Sequence, residues 1–167
     1  MTASSLSEEL RLKEARMENA RRLMVVGKDD WEEVVDLWTD DAIYQEPSFT
    51  IQGKERLSYF LSNLFQFVKD DYKFVIEDEV YQGDTNTYMC YWRMSGSFQK
   101  EFLWNLIQFT ETFDAKGMSI MKFRPGETRC YSHHDIYTEG DLWSKVIFIG
   151  DLVEYLRNEF RQTVTFK

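Results

Sequence analysis

The hydrophobic pattern changes from helical spacing to strict alternation near residue 72, and that switch constrains the fold more than any other feature of the chain. Upstream, Leu57, Phe60, Leu61, Leu64 and Phe65 recur at helical spacing, and so do Trp31, Val34, Val35 and Trp38 in a shorter segment. Downstream, "YKFVIEDEVYQ" (72–82), "TYMCYWRMSGSF" (87–98), "EFLWNLIQFTETF" (101–113), "MSIMKF" (118–123) and "TRCYSHHDIYT" (128–138) are rich in aromatic and β-branched residues. Gly, Asp, Asn or Pro separates these segments, which predicts consecutive antiparallel strands. Asp114-Ala115-Lys116-Gly117 suits either a turn between two strands or a bulge within one. Helices followed by a sheet of four or more strands make an α+β layout with helices covering one sheet face.

The remaining elements follow from local signals. Residues 5–24 read as a helix, with Ser5 and Glu8 as a capping box and Leu10, Ala15 and Leu23 on one side. A second helix starts at Asp30 and ends at Asp40-Asp41. A short strand carries Tyr44 and Glu46, and Gly53 precedes a third helix over 54–66, expected to lie across the concave sheet face with a cavity beneath it. From Asp141 the pattern is helical again through Leu152, Val153, Leu156 and Phe160, with a break at Gly150-Asp151. The expected organisation is one domain over 1–167, with a helical N-terminal extension (1–14) and a C-terminal helical tail (141–167).

Charge excludes some partners. Twenty Lys and Arg against 29 Asp and Glu give a net charge of −9, which disfavours nucleic-acid backbones. The N-terminus is charged rather than apolar and no run approaches membrane-spanning length, so a soluble, cytoplasmic protein with no membrane partner is expected. Cys90 and Cys130 lie too far apart for a metal knuckle and read as buried thiols. Aromatic residues make up 16% of the chain and seven methionines accompany them, which favours a cavity or a subunit interface.

Strand parity selects the polar candidates. Tyr44 and Glu46 are one strand period apart and share a face, either solvent or a pocket. Tyr131, His133, Asp135 and Tyr137 share one face of the last strand. Asp135, a charge amid aromatics, needs a partner if buried, and Arg93 is the candidate, in a site or in a structural ion pair. His133 and His134 point to opposite faces, so no metal site is expected, and Tyr91 and Trp92 read as core or cavity wall.

"AIYQEP" on the short strand and "HHDIYTEGDLW" at the end of the sheet give the chain a resemblance to the nuclear transport factor 2-like superfamily, in its SnoaL-like, limonene-epoxide hydrolase and ketosteroid isomerase branch. The resemblance covers roughly residues 15–145 and implies a cone-shaped curved antiparallel sheet enclosing an apolar pocket, in a homodimer. "YQE" (44–46) is similar to the Tyr-Gln-Asn of the epoxide hydrolases, and "HHDIY" (133–137) to their Arg-Asp-Tyr-Phe. That likeness implies that Tyr44 and Asp135 hold an attacking water. Glu46 stands in place of the amide, and the expected arginine and proton-donating acid near Tyr91 and Arg93 appear as tyrosine and arginine. Glu46-Pro47 resembles the ketosteroid isomerases, whose general base is an acid directly before a proline on this strand.

Together these imply Asp135, Glu46 and Tyr44 as catalytic residues, supported by His133, Arg93, Tyr91, Tyr131 and Tyr137, with Tyr44 and Asp135 meeting at the bottom of the cone. The implied activity is cofactor-independent acid–base chemistry on a hydrophobic small molecule, an isomerase or cyclase of terpenoid, steroid or polyketide type. The alternatives are an epoxide hydrolase-like or dehydratase enzyme, or a non-catalytic binder of lipophilic ligands.

Overall fold

The computed structural model describes residues 3–47, 49–102, 107–137 and 164–166. Helix α1 (Ala3–Met24) and the short α2 (Trp31–Val35) precede strands β1 (Trp38–Gln45) and β2 (Phe49–Gln52), and α3 (Lys54–Phe67) follows. Strands β3 (Lys73–Gln82), β4 (Thr87–Phe102), β5 (Ile107–Phe123), β6 (Cys130–Tyr137) and β7 (Val164–Phe166) complete the fold. The strands form one curled, open sheet in the order β3-β4-β5-β6-β1-β2-β7, in which every pairing is antiparallel except β1 with β6.

The α+β layout and the onset of strand periodicity agree with the sequence, but several boundaries move. Trp38 opens β1 instead of closing α2, because Cys130 donates its amide to the Leu37 carbonyl and Trp38 is the register partner of Cys130. Tertiary pairing overrides the helical spacing of the Val-Trp pattern there. Asp40 and Asp41 lie within β1, with Asp41 held by Thr39 and by the Arg124 guanidinium. Residues 107–123 form one strand, and Asp114-Ala115-Lys116-Gly117 runs along β4 opposite Trp92–Ser95. Strand β4 extends through Phe102, which pairs with Ile107 of β5. β2, too short to announce itself between Pro47 and Gly53, pairs with β1 and β7.

Helix α1 already runs from Ala3, so Ser5 lies inside it rather than capping it. Its inner stripe is Arg16, Ala20, Leu23 and Met24, which leaves Leu10 exposed. Arg16 is buried and donates to four acceptors: the carbonyls of Glu127 and Arg124, the Tyr81 hydroxyl and Asn86 Oδ1. It ties α1 to the turns at that end of the sheet. The expected helical tail lies outside the described residues except for Val164–Phe166, where a β-branched pair and a phenylalanine form strand rather than helix.

Helix α3 supplies Leu57, Phe60, Leu61 and Phe65 to the core and lies across the inner sheet face, with the Phe60 ring 5.3 Å from Phe49 and 6.0 Å from Tyr44. Cys90 and Cys130 are free and buried, and burial pushes their thiols up to about 11 and about 12. None of the described helices is long and apolar enough to cross a membrane.

Candidate active site

The parallel pairing of β1 with β6 builds the site. Tyr44 and His133 are register partners, so two residues further along each chain Glu46 and Asp135 also come side by side on the same face. Glu46 lies just past the end of β1, fixed by the hydrogen bond its backbone N–H donates to the Phe49 carbonyl at 2.9 Å, with Pro47 next. Neither carboxylate is free in water, at 9% and 8% exposure for Glu46 and Asp135.

The Tyr44 hydroxyl stands between the two acids, 2.8 Å from Asp135 Oδ2 and in short contact with Glu46 Oε1. Tyr137 donates to Glu46 Oε2 at 2.6 Å. His133 Nε2 contacts Asp135 Oδ1 at 2.9 Å and presents a proton to it in either the Nε2-protonated tautomer or the imidazolium. Ser119, the register partner of Asp135 on β5, donates to the same Oδ1 and accepts from Trp92 Nε1 at 2.8 Å. Trp92 reaches that serine because it lies over Gly117. A Cβ at Gly117 would run into the Trp92 ring and would come within 2.8 Å of the Ile136 carbonyl.

A phenol has one hydrogen, so Tyr44 cannot donate to both carboxylates at once. Burial alone would raise the pKa of Asp135, but the positive field of His133 and the hydrogen bonds from His133, Ser119 and Tyr44 outweigh it, and the acid is held below its ordinary value. Glu46 lacks that support. Burial and the charge on Asp135 push it up to about 7 against the bonds from Tyr137 and Tyr44. Tyr44 is raised well above its ordinary value by burial and by both acids, and stays a phenol. The consistent arrangement is protonated Glu46 donating to the Tyr44 oxygen while Tyr44 donates to ionised Asp135. The two acids then hold one proton between them.

The structure thus brings together Tyr44, Glu46, Asp135, His133 and Tyr137. It does not bring Arg93 or Tyr91 to them. Trp92 points inward, so its neighbours in the strand point outward. Arg93 pairs with Asp114 there, with Nε 2.8 Å from Oδ1, and Tyr91 is 44% exposed in a row with Met118 and Ile136. Tyr131 is displaced as well, because the β5–β6 register slips between Lys122 and Phe123, and its ring lies under the Arg124 guanidinium.

Sequence reasoning missed Ser119 and left Trp92 as core or wall. The available signal was a small polar residue inside "MSIMKF" on the parity of buried Met121. Aromatic rings continue the wall, with Phe74 5.2 Å and Tyr137 6.0 Å from Trp92. Among the described residues no three His, Cys, Asp or Glu side chains group to hold a metal ion.

Comparison with known proteins places this geometry in context. The family model described as a SnoaL-like domain matches residues 20–141. No curated protein matches the sequence. Among solved structures, a phenazine biosynthesis-related protein from Pseudomonas aeruginosa is 10% identical with a TM-score of 0.69, over 84% of this chain and 90% of that one. A candidate SnoaL-like polyketide cyclase from Jannaschia sp. is 15% identical with a TM-score of 0.63, over 79% and 91%. A protein with a ketosteroid isomerase-like fold from Catenulispora acidiphila is 13% identical with a TM-score of 0.56, over 74% and 85%. At these identities the likeness is one of fold.

Proposed function

The chain belongs to the SnoaL-like domain family, and from that premise we propose that it is a cofactor-independent acid–base enzyme, an isomerase or cyclase acting on an apolar small molecule with an acidic C–H bond. The observation that carries this reading is the single Tyr44 hydrogen between two buried carboxylates. It gives one acid that stays ionised and a second that exchanges a proton near neutral pH, the range in which a general base works best. Glu46 is the group that takes a proton from carbon and returns it. Asp135 is the fixed anion, and Tyr44 transmits its charge. The fold neighbour described as a candidate polyketide cyclase supports the same reaction class.

A terpenoid, steroid or polyketide would suit the aromatic wall of Phe74, Trp92 and Tyr137. Epoxide hydrolysis is a weaker reading, because Arg93 faces outward and pairs with Asp114, far from the role that chemistry would give it.

The test uses 2-acetonaphthone, an aryl methyl ketone, in D2O. The wild-type protein should catalyse deuterium exchange at the methyl group. Glu46→Gln should lower that rate by roughly two to four orders of magnitude while ligand affinity is retained, since the amide keeps the shape but cannot accept the proton. Tight binding with no exchange in the wild-type protein would favour a carrier of lipophilic ligands instead.

A further inference from the structure

Glu46 has two oxygens to satisfy and few donors to do it. Tyr44 stands at Oε1, but its one hydrogen goes to Asp135 whenever Glu46 carries a proton. Tyr137 instead directs its hydrogen at Glu46 Oε2, at 2.6 Å. The way the last strand is backed puts it there. Tyr137 is the register partner of Gly117, and the Trp92 ring fills the space that a Cβ at Gly117 would need, which brings the indole 6.0 Å from the phenol ring. The same indole N–H bonds Ser119, the donor to Asp135. One tryptophan thus braces a donor to each acid. The titratable groups that bear on Glu46 are Asp135, Tyr137, Tyr44 and His133, while α3 and β2 bring the uncharged rings of Phe60 and Phe49 against Tyr44. Burial and the charge on Asp135 push Glu46 up to about 7, and the Tyr137 bond does most against them.

We propose that Tyr137 is a positioning residue for the reaction, holding Glu46 by Oε2 as an ionised carboxylate whose plane is fixed toward the substrate. The proposal rests on the reading of Glu46 as base. With Tyr44 at Oε1 and Tyr137 at Oε2, the carboxylate cannot swing about its last bond. Its two oxygens offer about four lone-pair sites, so two phenols leave room for a proton. Glu46 takes that proton from carbon, the C–H electron pair passes into the substrate's carbonyl system, and the proton returns to carbon from the same carboxyl. Tyr137 keeps its own hydrogen throughout. Because a hydrogen bond to the charged form favours that form, Glu46 gives up its proton at lower pH with Tyr137 in place than without it.

The test compares the wild-type protein with Tyr137→Phe and Tyr137→Leu. Methyl deuterium exchange of 2-acetonaphthone is followed across the neutral pH range, and the Glu46 carboxyl is titrated by carbon-13 NMR without ligand. The wild-type rate should rise with pH through about 7, as Glu46 ionises. One hydrogen bond to a charged group is worth about tenfold in that equilibrium, so Tyr137→Phe should move both the acid limb and the NMR midpoint to about 8. On the acid limb the rate should fall about tenfold, with KM kept, because the ring remains and the lost hydroxyl faces Glu46. Tyr137→Leu should show the same displacement and a raised KM as well.

A wild-type limb and midpoint in Tyr137→Phe, with only Tyr137→Leu impaired, would overturn the assignment and leave Tyr137 as cavity wall. So would a loss of rate that is equal at every pH, the mark of a structural role alone. If the NMR midpoint moves in Tyr137→Phe while the acid limb of exchange stays, Tyr137 controls Glu46 but the reading of Glu46 as base fails, and the positioning role fails with it. A wild-type protein that gives no exchange at any pH would bring down both.

Discussion

Replacing Glu46 by glutamine should flatten the dependence of stability on pH in the neutral range. In the folded protein the carboxyl is pushed up to about 7 from an ordinary 4.5. The folded state therefore binds a proton that the unfolded chain has released between those values, and stability falls as pH rises through that window. The difference of about 2.5 units, at about 1.36 kcal/mol per unit, amounts to about 3 kcal/mol lost between pH 4.5 and somewhat above 7. Asp135 has the opposite sign, since its pKa is depressed. Its contribution is present above the ordinary aspartate value and is lost only as pH falls through the lower folded value, outside the range of interest.

The assay is urea unfolding followed by tryptophan fluorescence from pH 5 to 8.5, with wild type and Glu46→Gln measured side by side. The wild-type curve should drop by most of that amount while the variant stays level, so the two should cross or converge above pH 7. Parallel curves across the range would refute the assignment of a raised pKa to Glu46 and, with it, the shared proton.

Two further outcomes follow from packing. Arg16→Met should cost about 3 kcal/mol in denaturant unfolding, because it leaves the carbonyls of Glu127 and Arg124 and the Asn86 side chain without their buried donor; a loss below about 1 kcal/mol would contradict that role. Gly117→Ala should push Trp92 off Ser119, lowering exchange of the aryl ketone and shifting the tryptophan emission of the folded protein, whereas wild-type emission and rate would show that Trp92 does not depend on that glycine.

Much of this arrangement is legible in the sequence. Parity alone puts Tyr44 with Glu46 and His133 with Asp135, and the change of period near residue 72 marks where the uninterrupted run of strands from β3 to β6 begins. What parity could not supply was which strands lie side by side. The parallel β1–β6 pairing, which sets the two acids together, joins segments about ninety positions apart and leaves no local trace; it came only from the resemblance to a known family. Arg93 shows the reverse failure. Its charge suggested a partner for Asp135, but its own parity, opposite to that of Trp92, sends it to the outer face. Tyr131 fell out because a slip in register cannot be read from one strand. Ser119 was overlooked because a single small hydroxyl among methionines carries little pattern, although its place opposite Asp135 makes it a principal donor.

The central claim is that below about pH 7 Glu46 and Asp135 hold one proton between them, that this proton sits on Glu46, and that Glu46 releases it as the pH rises through that value while Asp135 stays ionised. Carbon-13 NMR of the side-chain carboxyl carbons, assigned with Glu46→Gln and Asp135→Asn, tests it directly. Glu46 should titrate with a midpoint near 7, and Asp135 should keep its ionised chemical shift down to below its ordinary pKa. A Glu46 midpoint at the ordinary glutamate value, or an Asp135 that protonates first as the pH is lowered, would contradict the account.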